Sequence, residues 1–333
     1  MYDISCFKGP AKGIVALPDL TLCVAASREI AERVREITLK APDGAVLPPF
    51  SAGAHVEIHL PDGTTRPYSL VDLDGTAMHP ESYTLGVLLE TESTGGSRYM
   101  HGLQPGDRVT VSAPKNSFAL TDSQTPALLV AGGIGITPIA SMATALKAAG
   151  RPYRLIYAGR SAGAMGFADL LTTHHGEALT LHCDDAQGCP LPLEPLLKEA
   201  ADSHLYICGP RGMIEAAREI AAANGFASDA VHFELFEQAA PQAGDQPFEV
   251  EIASTRQVFT VPADKTIIEA LEAEGVDLIY DCQRGDCGIC QTGLLEGEAD
   301  HRDVVLTDAE RAANTLIHIC VSRARSARLK LDL

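Results

Sequence analysis

Tryptophan is absent from the 333-residue chain, and that absence has no consequence for function. Long apolar runs are absent too. No stretch reaches the roughly 18 apolar residues of a membrane-spanning helix, so no such helix is predicted. The first 13 residues hold Asp3, Lys8 and Lys12 and lack the apolar core of a secretory leader. A cytoplasmic protein is therefore expected. Positive charge is in short supply: 26 Lys and Arg stand against 44 Asp and Glu, a net charge of −18. That balance argues against nucleic acid as a partner, and nothing points to a membrane. Most of the acidic surplus is read as serving solubility. There is no internal repeat and no low-complexity tract.

At this length two or three domains are expected, and 46% hydrophobic residues suffice for their cores. The first 17 residues show no periodic pattern and read as an extension or an extra edge strand. Short alternating runs then follow at Leu20–Val24, Val34–Leu39, His55–Leu60, Tyr83–Leu89 and Val109–Val111. Turns such as Pro61-Asp62-Gly63 separate them. That pattern predicts a small antiparallel β-barrel over residues 1–122. Near Ser123 the character changes. Strand-like runs at Ala127–Ala131, Arg154–Tyr157, Leu179–His182 and Leu205–Cys208 alternate with helical stretches. Residues 123–238 therefore read as a doubly wound α/β domain. A polar stretch with Pro and Gly, 239–246, reads as a linker. Residues 247–333 form a third unit, opening with a hairpin and a helix over Thr266–Glu274.

That third unit carries most of the chemistry. Cys282, Cys287 and Cys290 follow a C-x4-C-x2-C spacing, and Cys320 lies well downstream. Two irons and two sulfides need four converging thiolates, and this is the plant-type spacing of a [2Fe–2S] cluster. Gly285 and Gly288 suit a tight loop whose amides approach the sulfurs. Structural zinc also takes four cysteines, but usually as two close C-x2-C pairs. Nine cysteines in an intracellular chain favour metal or redox chemistry over disulfides.

Three other stretches could bind nucleotides. Arg66-Pro-Tyr-Ser69 offers a cation, a ring and a hydroxyl, the pieces that a flavin and its phosphate require. A surface strand with an exposed Arg would explain it equally well. Gly95-Gly-Ser97 before a short helix fits a phosphate cradle, and fits a plain glycine turn better. Gly132-Gly-Ile-Gly-Ile-Thr-Pro138 joins a strand to a helix, where glycines and the helix dipole favour a pyrophosphate. It lacks the third glycine of the dinucleotide fingerprint, and no acidic residue is clearly placed for a ribose. Cys208-Gly-Pro210 ends a strand, where α/β ligands bind, although a buried core cysteine is the commoner case.

These stretches and the four cysteines stand in one order. In that order the chain resembles the phthalate dioxygenase reductase family, which includes the vanillate O-demethylase reductases. The likeness runs from about residue 20 to Leu333 and takes in the Leu294–Leu306 segment. It implies an FMN-binding barrel, an NAD-binding α/β domain and an α+β, β-grasp-like plant-type ferredoxin. It further implies that Arg66, Pro67, Tyr68 and Ser69 contact FMN, with Gly95, Gly96 and Ser97 at its phosphate. Gly133, Gly135, Thr137 and Cys208 would line the dinucleotide site, with Phe236 near the flavin. Ser69 and Cys208 would stand at the reacting rings. Gly159-Arg-Ser161 would also suit a 2′-phosphate, while the family likeness favours NADH.

The cofactor set is physically coherent. NADH gives two electrons together and a [2Fe–2S] cluster takes one, so a flavin belongs between them. No acid–base triad is needed, and His174, His175, His301 and His318 read as surface or packing residues. The expected function is electron transfer from NADH to a Rieske-type oxygenase. A diiron hydroxylase is the alternative partner, although those reductases usually place the ferredoxin first. A redox-sensing module without turnover is the alternative from another class.

Overall fold

The computed structural model describes residues 18–91, 93, 95–236, 242 and 244–333. The expected N-terminal extension lies outside these residues, as does much of the expected linker.

Six strands form the first sheet: β1 (Leu20–Ala31), β2 (Val34–Lys40), β3 (His55–His59), β4 (Thr65–Ser69), β5 (Tyr83–Leu88) and, after helix α1 (Gly96–Gly102), β6 (Arg108–Val111). Their order is β4-β3-β6-β1-β2-β5, and the pairs are antiparallel. A bridge between Leu70 and Leu85 joins the two outer edges and closes the sheet into a barrel. Alternate residues point inward, which buries Leu22, Val24, Ile37, Leu39, Val56 and Ile58 together. β1 runs well past the expected Val24. Its outer half bulges twice and carries an exposed Arg28–Glu36 pair at 2.8 Å. No apolar alternation marks that half in the sequence.

The second sheet is parallel. It holds β7 (Ala127–Gly132), β8 (Tyr153–Gly159), β9 (Leu179–Cys183), β10 (His204–Cys208) and β11 (Val231–Glu234), in the order β11-β10-β7-β8-β9. Helices α2 (Ile136–Ala148), α3 (Ala168–His175), α4 (Asp184–Gln187), α5 (Leu193–Glu199) and α6 (Arg211–Ala223) connect the strands. Two apolar clusters, one around Leu129, Ile139 and Tyr157 and one around Val130, Leu197 and Ile214, cover the sheet. A sheet covered on both faces explains why β7 is buried at every position.

The third sheet is mixed. β12 (Phe248–Ile252), β13 (Val258–Val261), β14 (Gln291–Glu296), β16 (Leu316–His318) and β18 (Arg328–Leu331) take the order β13-β12-β18-β14-β16. A two-stranded ribbon pairs β15 (Ala299–Asp300) with β17 (Arg323–Ala324). Helix α7 (Ile267–Ala273) begins at a capping box, with the Thr266 hydroxyl accepting the Glu269 amide. It buries Ile267, Ile268 and Leu271. Helix α8 (Asp308–Ala313) opens on a second capping box at Thr307.

Candidate functional site

The flavin-type motif lies in the barrel wall. Arg66, Tyr68 and Ser69 belong to β4 itself, hydrogen-bonded to β3, with Ser69 opposite His55. Gly96 explains how the two barrel motifs meet. A Cβ there would stand 2.7 Å from Arg66 Cγ and 3.2 Å from the Tyr68 hydroxyl. The glycine lets the start of α1 rest on those side chains. Gly95, the residue before, has φ +110°, which favours glycine. The Ser97 hydroxyl accepts the Glu90 amide at 3.1 Å and donates to Ser93 at 3.0 Å. Burial pushes the Tyr68 phenol up to about 12, so it stays a neutral donor at neutral pH.

The α/β sheet approaches the same place from the other side. Gly133 takes φ +54° as the chain leaves β7. A Cβ on Gly135 would stand 2.2 Å from the Cys208 carbonyl oxygen. The motif therefore seats the end of β7 against the end of β10. Thr137 donates to the Ile134 carbonyl at 3.0 Å. Its methyl occupies the space that a Cβ on Gly86 of β5 would need, so the barrel and the α/β sheet meet there. Cys208 is fully buried, and that burial, with Glu234 nearby, pushes its thiol well up.

The four cysteines come together. The sulfurs of Cys290 and Cys320 are 3.1 Å apart, and the Cys282 thiol contacts those of Cys287 and Cys320. Gly285 and Gly288 have φ +80° and +78°, and the Arg284 amide donates to Cys282 Sγ at 3.3 Å. Among the described residues, no three His, Cys, Asp or Glu side chains are arranged to share one metal ion. Two irons need two thiolates each rather than three on one ion, and four converging thiols can supply them. The donor set fits a [2Fe–2S] cluster.

A cleft of about 580 Å³ joins the three parts, a size suited to a cofactor. Arg66, Pro67, Tyr68, Ser69, Gly96 and Ser97 line it from the barrel, Thr137 and Phe236 from the α/β unit, and Cys282 from the cysteine loop. Gly95, Gly133, Gly135 and Cys208 are not among its lining residues. The last three form the strand-to-helix seam behind it. Asp281 and Arg284 of the cysteine stretch also line the cleft, as do His55 and Glu234, which no sequence motif announced. Glu234 and Asp286 are buried, which lifts their carboxyls to about 7 and about 6 against the opposing pull of Arg284. His175 and His318 are buried, and His174 and His301 are half-buried. His175 meets the Tyr153 hydroxyl at 2.7 Å, and burial lowers it to about 4.

A barrel with a nucleotide cleft, a parallel nucleotide-binding sheet and a four-cysteine loop define a pyridine-nucleotide-dependent flavin and iron–sulfur oxidoreductase. The comparisons agree. A 2Fe-2S iron-sulfur cluster binding domain matches residues 250–325, which include all four cysteines. The vanillate O-demethylase oxidoreductase of Pseudomonas sp. (strain HR199) is 41% identical over 94% of this chain and 100% of its own length. The carnitine monooxygenase reductase subunit of Escherichia coli (strain K12) is 39% identical over 91% of this chain and 95% of its own. The solved structure of phthalate dioxygenase reductase, described as modular for electron transfer from pyridine nucleotides to [2Fe–2S], superposes with a TM-score of 0.72. It shares 36% identity over 95% of this chain and 98% of that one. The chain belongs to the phthalate dioxygenase reductase family, and its matched 2Fe-2S domain supplies the four cysteines of a [2Fe–2S] cluster.

Proposed function

We propose that the protein is the reductase component of a Rieske-type oxygenase, carrying electrons from NADH through FMN and a [2Fe–2S] cluster to that partner. One observation carries this reading: a single cleft is lined by Ser69 and Tyr68, by Thr137 and Phe236, and by Cys282. Bound there, the flavin supplies the conversion between a two-electron donor and a one-electron acceptor. The remaining work falls to the chain's own residues.

Arg66 and Ser97 hold the flavin phosphate, and Tyr68 and Ser69 hold its ring. Gly133, Gly135 and Thr137 shape the dinucleotide end, and Cys208 supports it from the buried strand terminus. Phe236 covers the cleft and excludes water. Cys282, Cys287, Cys290 and Cys320 are the iron ligands. The division of labour follows residues 1–122, 123–238 and 247–333, joined by the 239–246 linker. The relatives are named as the oxidoreductase of a vanillate O-demethylase and the reductase subunit of a carnitine monooxygenase, so an aryl methyl ether, an aromatic acid or a quaternary ammonium compound is the class of terminal substrate. The oxygenase, not this chain, binds it.

From Pro247 to Leu333, 16 Asp and Glu stand against 9 Lys and Arg, a surplus suited to a basic face on the oxygenase. Mixed anaerobically with its oxygenase and NADH, the protein should bleach the Rieske absorbance, more slowly as salt rises. A partner whose spectrum shows a diiron centre instead would contradict the Rieske assignment. A flat salt profile would contradict charge-steered docking.

A further inference from the structure

The cysteine loop touches both other parts of the molecule through its own charged side chains. Arg284, two residues after Cys282, is buried, as are Glu234 at the end of β11 and the Asp286 side chain. Arg284 Nη2 donates to Glu234 Oε1 at 3.2 Å, and its Nε lies 3.6 Å from Asp286 Oδ2. The same Asp286 oxygen accepts the Leu235 amide at 2.8 Å. At the other end of the segment, Asp281 accepts the Ser117 hydroxyl of the barrel unit at 3.0 Å. The Arg284 amide meanwhile donates to Cys282 Sγ. A single residue thus links a carboxylate of the α/β sheet to the first cluster cysteine.

This arrangement is costly. Two carboxylates share one guanidinium out of water, and Glu234 Oε2, Asp286 Oδ1 and Arg284 Nε have no hydrogen-bond partner. Well-packed apolar residues would stabilise such a boundary at least as well. An ionic network does what an apolar patch cannot. It fixes one orientation, because both carboxylates depend on the same guanidinium.

We propose that Glu234, Arg284 and Asp286 form a latch that seats the cysteine loop on the α/β sheet, with Arg284 as a positioning residue for electron entry into the cluster. The inference rests on the function proposed above. Loaded with both cofactors, the site would let the reduced flavin give the cluster one electron at a time, each reducing one iron, with the flavin N5 proton leaving to solvent by the second transfer. The latch holds Cys282 at the cleft while this happens.

Glu234→Gln tests the latch in the full-length protein carrying both cofactors, because it removes the charge and keeps the shape. Hydrogen exchange should quicken by at least about ten-fold over residues 231–236 and 281–286, and not over β5. In stopped flow, reduction of the cluster should slow by at least about ten-fold, while bleaching of the flavin by NADH changes far less. Wild-type exchange in a variant that keeps its cluster would overturn the latch. Faster exchange with unaltered cluster reduction would overturn the positioning role. If the glutamine variant loses its cluster, Arg284→Lys carries the same test with the same two outcomes. If NADH fails to bleach the flavin of the unmodified protein, the proposed function falls, and the exchange measurement still decides the latch.

Discussion

Two glycine-bearing loops contribute to one cleft, and they are built on different principles. The loop from Asp281 to Gln291 is organised by what its side chains must bind. Its cysteines converge, and its glycines take positive φ so that amides such as that of Arg284 can reach sulfur. The turn from Gly132 to Pro138 is organised by what must fit behind it. Gly135 exists because a Cβ would collide with the Cys208 carbonyl, and only Ile134 and Thr137 of this turn line the cleft. Side chains in the first loop do chemistry; missing side chains in the second permit close approach.

Substitutions should separate the two loops. The largest effect is expected from Cys287→Ser, which should abolish the visible absorbance of the cluster while NADH still bleaches the flavin. Loss of both together would mean that the two loops are not independent. Next comes Gly135→Ala, which forces an atom to about 2.2 Å from backbone and should cost about 3 kcal/mol of stability. Thermal unfolding should show that loss while iron content per folded molecule stays at the wild-type value. An unaltered melting temperature would contradict the packing role. The smallest effect of the three is expected from Arg66→Ala. Loss of a charge-assisted contact should weaken flavin retention roughly 10- to 100-fold, visible as FMN lost on dilution. Full FMN content after extensive dialysis would remove Arg66 from the phosphate site.

The contrast also marks what the sequence made legible. Cluster ligation requires one residue type at set spacings, so Cys282, Cys287, Cys290 and Cys320 stood out directly. The parallel sheet was equally plain, because strands buried on both faces become unbroken apolar runs, as β7 does. Other features were hidden for physical reasons. β4 runs through Arg66-Pro-Tyr-Ser69 itself, where a proline and a charged residue obscure the alternation. β14, β16 and β18 are short strands that acquire their apolar surroundings only in the folded sheet. His55 and Glu234 reach the cleft through tertiary packing between separate units, and no local spacing encodes that. A glycine whose purpose is to admit a neighbour looks, in sequence, like one that admits a phosphate.

The central claim is that electrons enter in pairs at the nucleotide side of the cleft and leave singly through the cysteine loop. Anaerobic mixing with one equivalent of NADH, followed by absorbance at flavin and iron–sulfur wavelengths and by EPR of the frozen product, tests it most directly. Flavin bleaching should come first, cluster bleaching second, and the product should carry the signal of a reduced [2Fe–2S] centre. A folded, flavin-loaded protein that bleaches its flavin yet never reduces a cluster, or that holds zinc in the four cysteines, would contradict it.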